Sequence, residues 1–135
     1  MEKEIKLLIC GDYCPLGRTD DLLRNENYDQ VFNGFDRIIN DVDFSVINLE
    51  CTVTTSKTKI VKTGPCLKTE NLNSIKVLKH LGFNLITLAN NHILDYSYQG
   101  VVDTIRYCKN FGLEVVGAGD TISDATRPFI AEMNG

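Results

Sequence analysis

The 135-residue chain has no run of apolar residues near the roughly 20 that a membrane span requires, which excludes a helical membrane protein by pattern. No Lys/Arg stripe follows any predicted helix, and the formal net charge is −4. That argues against nucleic acid as a partner, because neutralising phosphates needs clustered cations. The start, Met1-Glu2-Lys3-Glu4-Ile5-Lys6-Leu7, lacks the apolar core of a secretory signal, since charge recurs before the short run Leu7 to Cys10. The expected location is therefore cytoplasmic. No internal repeat, low-complexity segment or linker divides the chain, so a single domain spanning 1–135 is expected. Histidine is scarce, with only His80 and His92. The five cysteines (Cys10, Cys14, Cys51, Cys66, Cys108) are odd in number and contain no CxxC pair. Cys10 and Cys108 read as reduced core residues. A thiolate metal site from Cys14 with Cys51 or Cys66 has no zinc-type spacing behind it.

With 43% apolar and 24% charged residues, the chain can bury one core. Apolar runs at Ile5–Gly11, Asp43–Glu50, Phe83–Leu88, Leu113–Val116 and Pro128–Met133 predict five strands. Val31, Phe32, Phe35, Ile38 and Ile39 have helical spacing and predict one helix over Tyr28–Asn40. Leu72, Ile75, Leu78 and Leu81 predict a helix over Glu70–Leu81, ended by Gly82. A third helix, capped by Ser97, buries Val101, Ile105 and Cys108 and ends near Gly112. Asp12–Asn27 reads as a functional loop, Cys51–Pro65 as an excursion with a weak hairpin, and Ser123–Ala125 as a short turn or helix. Strands alternating with helices predict an α/β fold with right-handed crossovers and a mostly parallel sheet flanked by helices. Ala131 to Gly135 looks like a strand entering a turn, so a continuation beyond the C-terminus is expected.

Polar residues collect where the strands end. Asp12 follows Gly11, Glu50 follows Asn48-Leu49, and Ala89-Asn90-Asn91-His92-Ile93-Leu94-Asp95 follows the third strand. Ligands of open α/β sheets sit at such carboxyl edges. Carboxylates and an amide oxygen are hard ligands for a divalent cation. A histidine beside them can move a proton near neutral pH, and Asp95, three residues on, can orient that imidazole. Asn48 shares a side with Glu50 by strand alternation. Arg18, in the loop with Asp12, is the best candidate to meet an anionic substrate; Lys62 and Lys68 read as solvated charges. His80 reads as solvated at a helix end. Gly117-Ala118-Gly119 lacks the GxGxxG spacing of a phosphate loop.

Gly11-Asp12, Asn48-Leu49-Glu50, Leu88-Ala89-Asn90-Asn91-His92 with Asp95, and Gly117-Ala118-Gly119 with Asp124-Ala125 and Pro128 occur in that order. Together they resemble the CapA family of poly-gamma-glutamate capsule biosynthesis proteins, related to the calcineurin-like metallophosphoesterases. The resemblance implies the amino-terminal half of a four-layer α/β/β/α sandwich with a metal-dependent phosphoesterase-type site. By position, Asp12, Glu50 and Asn91 resemble metal ligands for Mn, Fe, Zn or Mg. His92 resembles the proton donor beside the phosphate. From the residues alone, Asp95 is expected to complete the catalytic pair, and Arg18, Asn48 and Asn90 are the expected substrate contacts. The chain departs from the phosphoesterase pattern at Asp12-Tyr13-Cys14, where Asp-x-His is usual, and at Asp95-Tyr96-Ser97, where the family often has Asp-x-Gly. The family's later His-bearing motifs have no counterpart. Three functions stay open: a CapA-type enzyme module acting on an anionic small molecule or polymer, a non-catalytic binding or assembly module, and a flavodoxin-like domain that holds an anion without metal. An unpaired sheet edge makes a homodimer possible.

Overall fold

The computed structural model describes residues 4–133. Strand β1 (Leu7–Tyr13) leads through three short helices, α1 (Arg18–Arg24), α2 (Tyr28–Phe32) and α3 (Phe35–Ile39), into β2 (Phe44–Leu49). A two-stranded parallel pair follows, β3 (Thr52–Val53) with β4 (Lys68–Thr69). Then come α4 (Asn73–Leu81), β5 (Leu85–Thr87), α5 (Ser97–Asn110), β6 (Glu114–Val116) and α6 (Ile122–Ala125). The main sheet is parallel throughout, in the order β1-β2-β5-β6.

Each new strand of that sheet is added on the same side as the last. Right-handed crossovers that always advance one way deposit their helices on one face. The burial pattern records this. Ser45, Ile47 and Leu49 of β2 are buried, and the core gathers Leu49, Ile47, Ile86 and Leu88 with Ile75, Leu78 and Leu81 of α4 and Val101 and Cys108 of α5. The opposite face is thinly covered. Leu7 and Ile9 of β1 keep 59% and 77% of their surface exposed. Phe129 stacks on Phe44 of β2, with ring centroids 5.6 Å apart.

Several predicted elements change form. The single helix over Tyr28–Asn40 is two, because Gly34 takes φ 74° between α2 and α3. The loop Asp12–Asn27 contains α1, and Asp12 itself belongs to β1, beyond a register shift between Ile9 and Asp12. The expected hairpin in Cys51–Pro65 is absent: β3 pairs in parallel with β4, and residues 54–67 between them are irregular. The helix expected from Glu70 starts at Asn73, and the third strand is confined to Leu85–Thr87. Ser97 is no cap; it is the first residue of α5, at φ 60°, and its hydroxyl donates to the Thr58 carbonyl. The expected fifth strand over Pro128–Met133 is also absent: residues 127–133 carry no strand pairing, although Phe129 packs on the sheet. Phe129 satisfies the pattern by packing on the sheet, whereas Ile130 is 81% exposed. Among the described residues no helix is long and apolar enough to cross a membrane.

Two glycines at positive φ separate conformational strain from steric blockage. Gly82 ends α4 at φ 99° with open space where a Cβ would lie. Gly117 leaves β6 at φ 86°, and a Cβ there would sit 2.6 Å from the Ala89 side chain. Gly82→Ala is expected to cost about 1 kcal/mol for the left-handed backbone alone. Gly117→Ala adds overpacking and should cost about 2–4 kcal/mol. Urea midpoints of the two variants, compared with wild type, check the difference.

Candidate functional site

The parallel register places Asp12 beside Asn48 and Asn48 beside Thr87, one residue from each of three adjacent strands. Strand alternation sends Asn48 away from the helix-covered face, because its neighbours Ile47 and Leu49 are buried there. The result is a polar row at the carboxyl edge. The Asn48 Nδ2 donates to Asp12 Oδ1 at 2.7 Å, and the Asn48 Oδ1 accepts from Thr87 Oγ1 at 3.1 Å. Asn90 extends the row from the loop after β5. Its Nδ2 donates to Asn48 Oδ1 at 3.1 Å and to the Leu49 carbonyl at 2.9 Å, while its Oδ1 accepts the His92 N–H at 3.0 Å. Only an amide can donate twice and accept once in this position. One hydrogen-bonded line therefore runs from the Asp12 carboxylate to the backbone of His92.

The His92 side chain is held from the other side. Its Nδ1 lies 2.7 Å from Asp95 Oδ2 and 3.3 Å from Lys62 Nζ. Nδ1 cannot donate to the carboxylate and accept from the ammonium at once. The nearer, charged acceptor claims the Nδ1 proton, and Lys62 donates to the other Asp95 oxygen, Oδ1. Nε2 is left with its lone pair, or its second proton, directed elsewhere. No described residue bonds it, and it is not among the buried atoms that lack a partner, so it meets solvent.

Asp95 is the buried anchor. Its side chain is 0% exposed, and besides His92 and Lys62 it accepts the Leu67 N–H at 2.6 Å. Burial pushes its carboxyl up, but the Lys62 and His92 side chains and the Leu67 amide outweigh burial and hold it below the ordinary carboxylate value. Through Lys62 and Leu67, and through the Ile60 N–H donated to the Asp95 carbonyl, the irregular segment 54–67 is tied to the loop carrying His92.

Glu50 stands just past β2, half-buried, its N–H donated to the Tyr13 carbonyl at 3.0 Å. Among the described residues its carboxylate has no hydrogen-bond partner. The neighbouring Cys51 side chain lowers the Cys14 thiol pKa, against the opposing effects of burial and of the Glu50 and Asp12 charges. Asn91 is exposed in the turn after Asn90 and makes no side-chain hydrogen bond among the described residues. Arg18 is exposed at the start of α1 and lines a separate groove with Leu22, Asp29, Gln30 and Asn33, outside the hydrogen-bonded line. His80 is exposed at the end of α4, its ring 5.4 Å from that of Tyr28.

The reading of Lys62 as a solvated charge is corrected: its side chain is 19% exposed and paired with the buried Asp95, because the fold brings residue 62 to residue 95. Sequence reasoning passed over Thr87, the next-to-last residue of the predicted strand Phe83–Leu88. For a metal, the fit is incomplete. Among the described residues no three His, Cys, Asp or Glu side chains are grouped to hold an ion.

The sign of the pH effect follows from Asp95. A carboxyl whose pKa is lower folded than unfolded contributes stability above its unfolded value of about 4, and that contribution is lost as pH falls through the lower folded value. Asp95→Asn is expected to cost about 2–3 kcal/mol at pH 7. The deficit should shrink toward pH 3, where wild type loses the same term. Denaturant midpoints of both proteins across that range check it.

Residues 6–135 match the family described as bacterial capsule synthesis protein PGA_cap. The chain is 32% identical over 117 residues to the PGA biosynthesis protein CapA of Bacillus subtilis, covering 87% of this chain and 31% of that protein. It is 39% identical over 62 residues to the capsule biosynthesis protein CapA of Bacillus anthracis, covering 46% and 15% respectively. A probable polyglutamine synthesis accessory protein of Mycobacterium tuberculosis is 36% identical over 85 residues, 63% of this chain and 22% of that protein. The chain thus spans a third or less of the curated relatives it matches. Its fold, a parallel sheet flanked by helices with the strand-end motifs at one edge, and the match along nearly its whole length make the chain a member of the bacterial capsule synthesis PGA_cap family.

Proposed function

We propose that this chain supplies part of a divalent-cation-dependent phosphoesterase-type site, in a protein that helps build an anionic capsule or cell-envelope polymer. One observation carries the reading: the hydrogen-bonded line Asp12–Asn48–Asn90–His92 along the carboxyl edge. The line is built to hold charge and orientation, not to fill a core. Asp12 and Glu50 are the hard oxygen donors, with the exposed Asn91 amide beside His92. The reading requires further donors beyond Asp12, Glu50 and Asn91, since no three His, Cys, Asp or Glu side chains are grouped among the described residues. A cation bound there would polarise a phosphoryl oxygen and lower the pKa of water.

The chain's own residues have separable tasks in this reading. Asp95 fixes the His92 ring with Nδ1 protonated and stabilises the imidazolium. His92 presents Nε2 to solvent, where it can give a proton to a leaving oxygen. Asn90 and Asn48 keep the loop and the Asp12 carboxylate in register. Lys62 neutralises Asp95, so the buried charge does not repel an anionic substrate. The names of the relatives, which refer to PGA, capsule and polyglutamine synthesis, support the polymer assignment. A second reading, a non-catalytic binding or assembly module, draws support from the same incomplete donor set.

The metal half of the proposal is testable on this chain alone. Mn²⁺ is expected to bind weakly, with Kd about 1 mM, as for sites with few ligands. Its paramagnetism should broaden the amide resonances around Asp12, Glu50 and Asn91 first. Asp12→Ala and Glu50→Ala should each remove that local broadening. Broadening scattered equally over surface carboxylates, unchanged in both variants, would overturn the metal assignment.

A further inference from the structure

We propose that Lys57, Lys59 and Val61 form a docking strip for an unbranched polymer that carries carboxylates. This rests on the reading above that the protein serves an anionic polymer, and not on the cation. Between Glu50 and Glu70 the chain carries four lysines (Lys57, Lys59, Lys62 and Lys68) and no acidic residue, although its formal net charge is −4. The stretch has no regular structure, yet it is tied down at every second residue from 56 to 62. The Ser56 carbonyl accepts from the Lys68 ammonium at 2.7 Å, and the Thr58 carbonyl accepts from the Ser97 hydroxyl at 3.1 Å. The Ile60 N–H is donated to the Asp95 carbonyl at 3.1 Å, and the Lys62 ammonium pairs with the Asp95 carboxylate. The residues between these anchors face solvent: Lys57 and Lys59 are exposed, and Val61 is exposed in full, at 105%. Alternation by two is that of extended backbone.

Two lysines spaced this way on extended backbone stand about 7 Å apart. Among the described residues neither ammonium has an ion pair, whereas Lys62 and Lys68 are paired with Asp95 and Glu70. The Lys59 ammonium lies 5.8 Å from the centroid of the Tyr96 ring. A single carboxylate meeting one exposed ammonium gains little. A chain of carboxylates meets both, and its second contact is intramolecular, so affinity grows with polymer length. The anchors hold the strip in place before binding, which reduces the ordering cost. Val61 discriminates among polyanions: its side chain suits the methylenes of a polycarboxylate, which a polyphosphate lacks. The strip ends at Lys62, whose ammonium is 3.3 Å from His92 Nδ1, so a polymer held on it runs toward the imidazole.

Poly-L-glutamate titrated into the isotope-labelled chain, with EDTA present to exclude cations, should shift the amide resonances of residues 57–61 first. The glutamate monomer should shift none, and added salt should weaken the polymer's binding. Lys57→Gln combined with Lys59→Gln should weaken it about tenfold. Arg37→Gln combined with Lys109→Gln removes the same charge from exposed helix positions and should change it by less than about twofold. Equal weakening by both pairs, or tighter binding of a polyphosphate of matched charge, would overturn the proposal. Absence of polymer binding alongside intact Mn²⁺ broadening at Asp12 and Glu50 would overturn the strip and leave the cation site standing. Polymer binding at 57–61 where that broadening fails would support the strip and sink the cation site alone.

Discussion

The Asp95 carboxylate, fully buried, sets the terms for the segments around it. An unpaired charge in that position would cost several kcal/mol, so every donor it meets is held there. Those donors come from distant parts of the chain: Lys62 and the Leu67 amide from the irregular segment, His92 from the loop after β5. Satisfying one charge therefore closes a long segment without regular structure over the sheet edge. It also orients the one imidazole at that edge. The Ser97 hydroxyl donated to Thr58, and Lys68 over the Tyr96 ring with its ammonium 4.9 Å from the centroid, reinforce the same closure.

The winding of the sheet is the second constraint. Strands added always on one side leave the helices on one face, and the Asp12–Asn48–Thr87 row lies on the other. Beneath that row the same face is apolar, with Leu7 beside Phe44 and Ile9 beside Val46. The site is thus the polar end of a face that is otherwise greasy.

Much of the plan is written in local patterns. The apolar runs that become β1, β2, β5 and β6 are legible because a parallel strand buried on a helix layer needs Val, Ile and Leu. The stripe Ile75, Leu78 and Leu81 marks α4 for the same reason, and Gly82 marks its end. The polar residues at the strand ends stand out against those runs, which is why Asp12, Asn48, Glu50 and the 90–95 loop can be picked out in advance. The failures are equally physical. The pattern at Pro128–Met133 is apolar, but apolarity does not say whether a segment pairs at an edge or lies across a face. Val31 to Ile39 keeps helical spacing across Gly34, and spacing cannot register that one residue has turned left-handed.

The sequence by itself determined the class of fold, the order of its elements and the types of side chain at each strand end, because these follow from burial periodicity and from polar groups interrupting it. Tertiary structure alone decided which of those side chains meet. It joined Asp12 to Asn48 through strand register, brought Lys62 to Asp95 across an irregular segment, and left Arg18 facing a different groove. Register and loop closure are long-range events, set by the free energy of the whole packed domain, and no window along the chain contains them.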